Sequence, residues 1–126
     1  NGVEWYCREK IDVHGKNDLN WGAANNMVGL IARLNAILGT NPSFFGNGHL
    51  EVVTRGDGNT LAVVRTRAGY RSVLVLANLD CGAEATIDWD RAAFSEPAAK
   101  DLLTDADVAL DGPVRLAPGE VKLMRK

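Results

Sequence analysis

The sequence predicts a mainly β chain, an antiparallel β-sandwich of about seven strands preceded by one amphipathic α-helix. Three observations lead there. Residues 26–42 carry apolar side chains at helical spacing. From residue 50 onward, β-branched-rich runs return about every 10–12 residues, the rhythm of sandwiches and barrels. One of those runs, SVLVLANL at residues 72–79, is almost continuously apolar and belongs in the middle of a sheet.

The first segment, residues 1–24, mixes aromatic residues with clustered Gly15, Asn17, Asp18, Asn20 and Gly22, which is loop chemistry. A loop of this length in a small domain either carries function or has lost its context. The helix follows. Met27, Leu30, Ile31, Leu34, Ile37 and Leu38 recur at i, i+3, i+4, i+7, so one face is apolar over roughly four turns. Asn25 or Asn26 suits the start, Gly39 suits a left-handed close, and Pro42 forbids continuation. In the connector SFFGNG, Phe44 and Phe45 are expected to pin the helix end against a sheet.

Strands are expected at residues 50–55, 61–67, 73–79 and 83–89, separated by Gly-rich turns at hairpin length. Residues 91–99 break the alternation and include Pro97. Shorter strands are expected at 100–103, 114–116 and 121–124, the last two joined by Ala117-Pro118-Gly119. Apolar residues on both faces of the central strands require cover on both sides, from a second sheet or from a neighbouring domain.

With 126 residues, 46% hydrophobic and 24% charged, the chain is an ordinary globular composition with room for one real core. A net charge of −2 gives no support for nucleic acid or an anionic membrane as partner, and no apolar run has the length of a membrane span. The chain starts at Asn1 rather than Met and reads as a processed piece, so compartment stays undetermined. Cys7 and Cys81 suit neither a disulfide framework nor a zinc site; they are two separate thiols or a single bridge. His14 and His49 lack ligand spacing, and no metal or cofactor is expected. Arg65, Arg67 and Arg71 read as the solvated face of a hairpin. Trp89 and Tyr70 read either as a surface sugar platform or as caps on a core edge.

In order, the chain shows NG-x-E, a polar loop NDLNW, the helix LIARLNAI running into NP, then GNTLAVVRT, SVLVLANL, DLLTD and a closing APGEVKLM. This resembles the tail of α-amylase-type glycoside hydrolases, where the last strand and helix of a (β/α)8 barrel lead into an all-β C-terminal domain. Asn1, Gly2 and Glu4 match the end of the eighth strand, Asp18 and Trp21 the loop, and Leu30, Leu34 and Pro42 the helix and its stop. Asn78 matches the Asn after the central strand, and residues 101–104 match a DLLTG-like strand whose final Gly is here Asp105. The loop departs from the pattern in lacking the Pro and Arg many members carry near Asp18.

The resemblance implies that residues 1–48 are a barrel remnant and residues 49–126 the C-terminal sandwich. It implies an accessory, stabilising role in an enzyme that hydrolyses or transglycosylates α-glucans. Retaining chemistry needs two carboxyl groups about 5 Å apart, and the family's pair lies on earlier strands, so no catalytic residue is expected in this chain. Barrel sites sit at the C-terminal ends of the strands. Trp5, His14, Asn17, Asp18 and Trp21 would then line an outer sugar subsite of the parent; the blander reading has Trp21 packed under the helix start and Asp18 bonding its own loop. Expected partners are the rest of the barrel, an α-glucan oligosaccharide, and a second copy meeting the helix face, with Leu34→Asp altering oligomeric state or solubility. A free-standing carbohydrate-binding sandwich and a protein-interaction domain are the alternatives.

Overall fold

The computed structural model describes residues 2–8, 14–15, 18–56 and 58–126, and the chain divides into two units, Asn1–Gly39 and Thr40–Lys126.

In the first unit, a 3-10 turn at Val3–Trp5 stands where the resemblance implies the end of a barrel strand. A lone strand has no neighbour to satisfy its backbone, and a turn satisfies some of those groups locally: the Trp5 and Tyr6 N–H groups donate to the Gly2 and Val3 carbonyls. The helix α1 spans Val28–Thr40. Asn26 begins it, its Oδ1 accepting the Val28 N–H at 3.0 Å while its amide donates to the Ala23 carbonyl at 2.8 Å. Gly39 stays helical instead of closing the helix in a left-handed turn. The stop comes from Pro42, which disfavours a helical Asn41; that residue is extended, with φ −105° and ψ 106°. Ile37 is buried, whereas Leu30 is 51% and Leu38 49% exposed.

The second unit is the expected antiparallel sandwich. Its strands are β1 (His49–Val52), β2 (Thr54–Arg55), β3 (Thr60–Thr66), β4 (Val73–Asn78), β5 (Ala85–Trp89), β6 (Ala98–Asp101), β7 (Asp107–Ala109), β8 (Val114–Leu116) and β9 (Val121–Arg125). Six of them form one sheet in the order β1-β3-β4-β9-β6-β7, and three form the other in the order β2-β5-β8. The strand β4 is central, paired with β3 and β9, and five of its six residues are buried. Between the sheets, Val64, Leu74, Leu76 and Met124 meet Ile87, Trp89, Val114 and Leu116 in one apolar core.

Two differences raise the strand number from about seven to nine. The run at residues 50–55 is broken at Val53, where the chain leaves one sheet for the other. There the Val53 N–H donates to the Ala62 carbonyl and the Val53 carbonyl accepts the Asp90 N–H, both at 2.9 Å, so the corner costs no backbone bond. The added strand, β7, is short and polar at its start, and pairing with β6 defines it.

The outward face of the large sheet is also apolar. Val52, Val63, Val75 and Leu123 follow one another in register across four strands. Val52 is 69% exposed and the other three are half-buried. An antiparallel sheet with a wet face ordinarily places polar residues there.

Arginines fasten the connector to the sandwich rather than forming a solvated face. Arg65 donates from Nε to the Ser43 carbonyl at 2.8 Å and from Nη2 to the Gly46 carbonyl at 3.1 Å. Arg67 reaches the Pro42 carbonyl at 2.6 Å. A side chain at position 48 would meet the Arg65 guanidinium carbon at 2.9 Å, so the guanidinium packs directly over this glycine.

Candidate functional site

The residues singled out in the loop take different positions. Trp5 lies half-buried in the 3-10 turn, and its carbonyl accepts the Asn20 amide at 2.8 Å. Asp18 is exposed and accepts the Asn20 N–H at 3.2 Å, an Asx turn. Leu19 and Asn20 follow with φ of 50° and 59°, left-handed values that this turn supports. His14 is exposed, and Trp21, at 68% exposure, is not tucked beneath the helix start. Asn17 lies outside the described residues.

Near these residues the first unit has a concavity of about 360 Å³ lined by Tyr6, Cys7, Arg8, Asn20, Ala23 and Asn25. Of the candidates, Trp5, His14, Asp18 and Trp21 are not among the described residues of that lining, although Asn20 is bonded to both Trp5 and Asp18. The described lining offers amides, a phenol and a guanidinium, groups that bond hydroxyls. Tyr6 and Arg8 carried no sequence signal because their place in this lining depends on how residues 20–25 fold back toward the first turn. That return is fixed by the Met27 N–H donating to the Glu4 carbonyl at 2.7 Å.

Among the described residues, the carboxyl groups with lowered pKa values lie in the sandwich, where they hold turns. The backbone N–H of Gly82 and the side chain of Asn59 hold Asp80 below the usual carboxylate range. Arg91, then the Trp89 N–H, does the same for Asp88, and Lys122, then the Ala117 N–H, for Glu120. Such shifts often mark catalytic groups, but the partners here are turn and strand-end groups: those of Asp88 and Glu120 are local, and Asp80 adds Asn59 from the turn before β3.

The sugar-platform reading of Trp89 and Tyr70 is overturned. Trp89 is wholly buried, its Nε1 donates to the Phe94 carbonyl at 3.1 Å, and the Arg91 guanidinium lies 3.5 Å from its ring centre. Tyr70, 48% exposed, is stacked by Arg67 at 4.5 Å. Cys81 is an exposed thiol outside any disulfide. Among the described residues no group of His, Cys, Asp and Glu is arranged to hold a metal ion, and no helix is long and apolar enough to cross a membrane.

No protein-family model matches the sequence, and no curated protein matches it significantly. In fold, the chain is similar to AmyP as crystallised with maltose, with a TM-score of 0.63 and 14% identity over 77% of this chain and 20% of AmyP. It is likewise similar to a single-residue variant of AmyP in complex with maltotriose, with a TM-score of 0.67 and 15% identity over 86% of this chain and 23% of that one. At such identity the likeness is one of fold. The chain spans less than a quarter of AmyP and has the architecture of one part of it.

Proposed function

We propose that this chain is the C-terminal accessory segment of an α-amylase-type enzyme that hydrolyses or transglycosylates α-glucans. Residues 1–48 are then the end of a (β/α)8 barrel, and residues 49–126 the sandwich that covers and stabilises it. Catalysis belongs to acids upstream, and the chain alone is not an enzyme. The observation that carries this reading is the extent of the likeness to AmyP: 86% of the chain is matched, more than residues 40–126 can supply by themselves. The exposed leucines of α1 and the apolar outward row of the large sheet support it, since both are surfaces that a larger body would cover. A half-exposed leucine that becomes buried contributes roughly 1 kcal/mol.

In the same reading, Trp5, His14, Asn17, Asp18 and Trp21 face an outer sugar subsite of the parent. The support is the exposed indole of Trp21, which suits stacking on a pyranose ring.

The test measures reducing ends released from maltoheptaose by the 126-residue chain and by the full-length gene product. Release is expected from the longer polypeptide alone, and Trp21→Ala there should lower kcat/KM for long oligosaccharides about tenfold while sparing short ones. Hydrolysis by the short chain, or a longer product without glucan activity, would overturn the proposal. Saturable maltotriose binding by the short chain would replace it with a free-standing sugar-binding module.

A further inference from the structure

The strand β1 is an edge of the large sheet: it pairs with β3 on one side, and among the described residues no strand lies on the other. The register shows which of its backbone groups face outward. Val53 donates to the Ala62 carbonyl, and on the far side of β3 Leu79 donates to the Asn59 carbonyl. Bonds alternate along an antiparallel pair, so Val64 and Thr66 turn their backbone groups toward β1, where they meet Glu51 and His49. The N–H and C=O groups of Leu50 and Val52 are therefore directed away from β3. Their side chains are exposed as well, Leu50 at 59% and Val52 at 69%. Edges of this kind are ordinarily blunted by lysine or proline, and residues 49–52 contain neither.

The chain itself limits the usable edge. Gly46 turns with φ of 59°, and at Val53 the chain departs for the other sheet, so the edge runs over residues 48–52 and is centred on Leu50. A second copy related by a two-fold axis would lie antiparallel to it. With the axis at Leu50, this residue faces its own counterpart, each outward N–H meeting a carbonyl, and Val52 faces Gly48. On either side of the axis, His49 faces Glu51 of the second copy at a non-hydrogen-bonded position, where opposed side chains come closest. Moving the axis to Glu51 brings two carboxylates face to face, which destabilises a sheet. Moving it to His49 sets Val52 against the Gly46 turn. Charge and available length select the same register.

We propose that β1 is a self-association edge, pairing antiparallel with β1 of a second copy of this chain in the register centred on Leu50. The large sheets of the two copies then run on as one, and each His49 imidazole donates to a Glu51 carboxylate across the junction. A strand of four residues buries little surface, so the contact is weak and needs concentrated protein, which separates it from contact through the face of α1. It uses the rim of the sheet, which a body lying on the sheet's face leaves open, so it does not depend on the parent enzyme proposed above.

The test oxidises concentrated Leu50→Cys and Val52→Cys variants of the whole chain and maps the cross-linked peptides by mass spectrometry. A disulfide joining position 50 of two copies is expected, because the opposed Cα atoms lie about 5.5 Å apart, within disulfide reach. Position 52 faces position 48 instead and should link to itself about tenfold less. Val52→Pro removes an outward N–H and spares the ladder to β3. Added to Leu50→Cys, it should abolish the link and leave the circular dichroism spectrum unchanged. Glu51→Gln should lower the yield about threefold, and exchanging the pair, His49→Glu with Glu51→His, should restore it. Equal linking at positions 50 and 52, or a yield unchanged by Glu51→Gln, would overturn the pairing.

Discussion

Asp101 is fully buried, and its carboxyl group gathers the chain around it. Oδ1 accepts the Leu103 and Leu123 N–H groups, each at 3.1 Å, and Oδ2 accepts the Thr104 hydroxyl at 2.8 Å. Asp101→Ala leaves part-buried donors without an acceptor, at a cost of roughly 3 kcal/mol. Urea unfolding followed by circular dichroism should show a lower midpoint with an unchanged slope; an unchanged midpoint would count against this role. The sequence showed the DLLTD motif but not its reason. Asp105 takes φ 61°, so the position where the resembled family has Gly is a left-handed one, and Asp is among the few other residues that tolerate it. Asn78 was legible in the same limited way: it follows the apolar strand, and the structure shows its amide bridging the Ala83 and Ala117 carbonyls at 2.8 and 2.9 Å. For Trp89 the core reading holds over the sugar platform, but its partners, Phe94 and Arg91, come from the irregular stretch after the strand, where no periodicity points to them.

At the level of elements, periodicity located α1 and the long strands to within a residue or two. It did not see that residues 50–55 serve two sheets, because β-branched residues suit either. Nor did it find β7, which has three residues and no alternation of its own. For α1, the placement of apolar residues was legible, whereas their degree of burial depends on what surrounds them. Leu30 and Leu38, about half exposed, carry a prediction: the isolated chain self-associates through this stripe. Replacing both with Asp removes roughly 2 kcal/mol of apolar burial, about a thirtyfold rise in dissociation constant. Sedimentation across a concentration series should show the variant monomeric where the native chain forms dimers. Identical profiles would remove the helix face as a site of association.

For the molecule as a whole, stability should depend on acid in one direction. Asp80, Asp88 and Glu120 are held below their ordinary values by Gly82, Arg91 and Lys122 respectively, each with further help from its own turn. A carboxylate whose folded pKa is depressed stabilises the fold above the unfolded value of about 4, and that contribution is lost as pH falls through the folded value. Unfolding free energy should therefore be level from about pH 7 down to about pH 5 and decline below about pH 4. Asp88→Asn should make the decline shallower, and a curve identical to the native one would exclude that carboxylate. The overall class was readable because alternation and turn spacing are local properties. The concavity in the first unit was not, since it joins residues 6–8 to residues 20–25 through a fold-back that no local pattern announces.

Val53 ties these scales together. One uninterrupted peptide stitches the two layers of the sandwich, with an amide hydrogen committed to the first and a carbonyl to the second. Sliding one layer over the other would tear both bonds at once, so the layers melt as a single cooperative block rather than peeling apart.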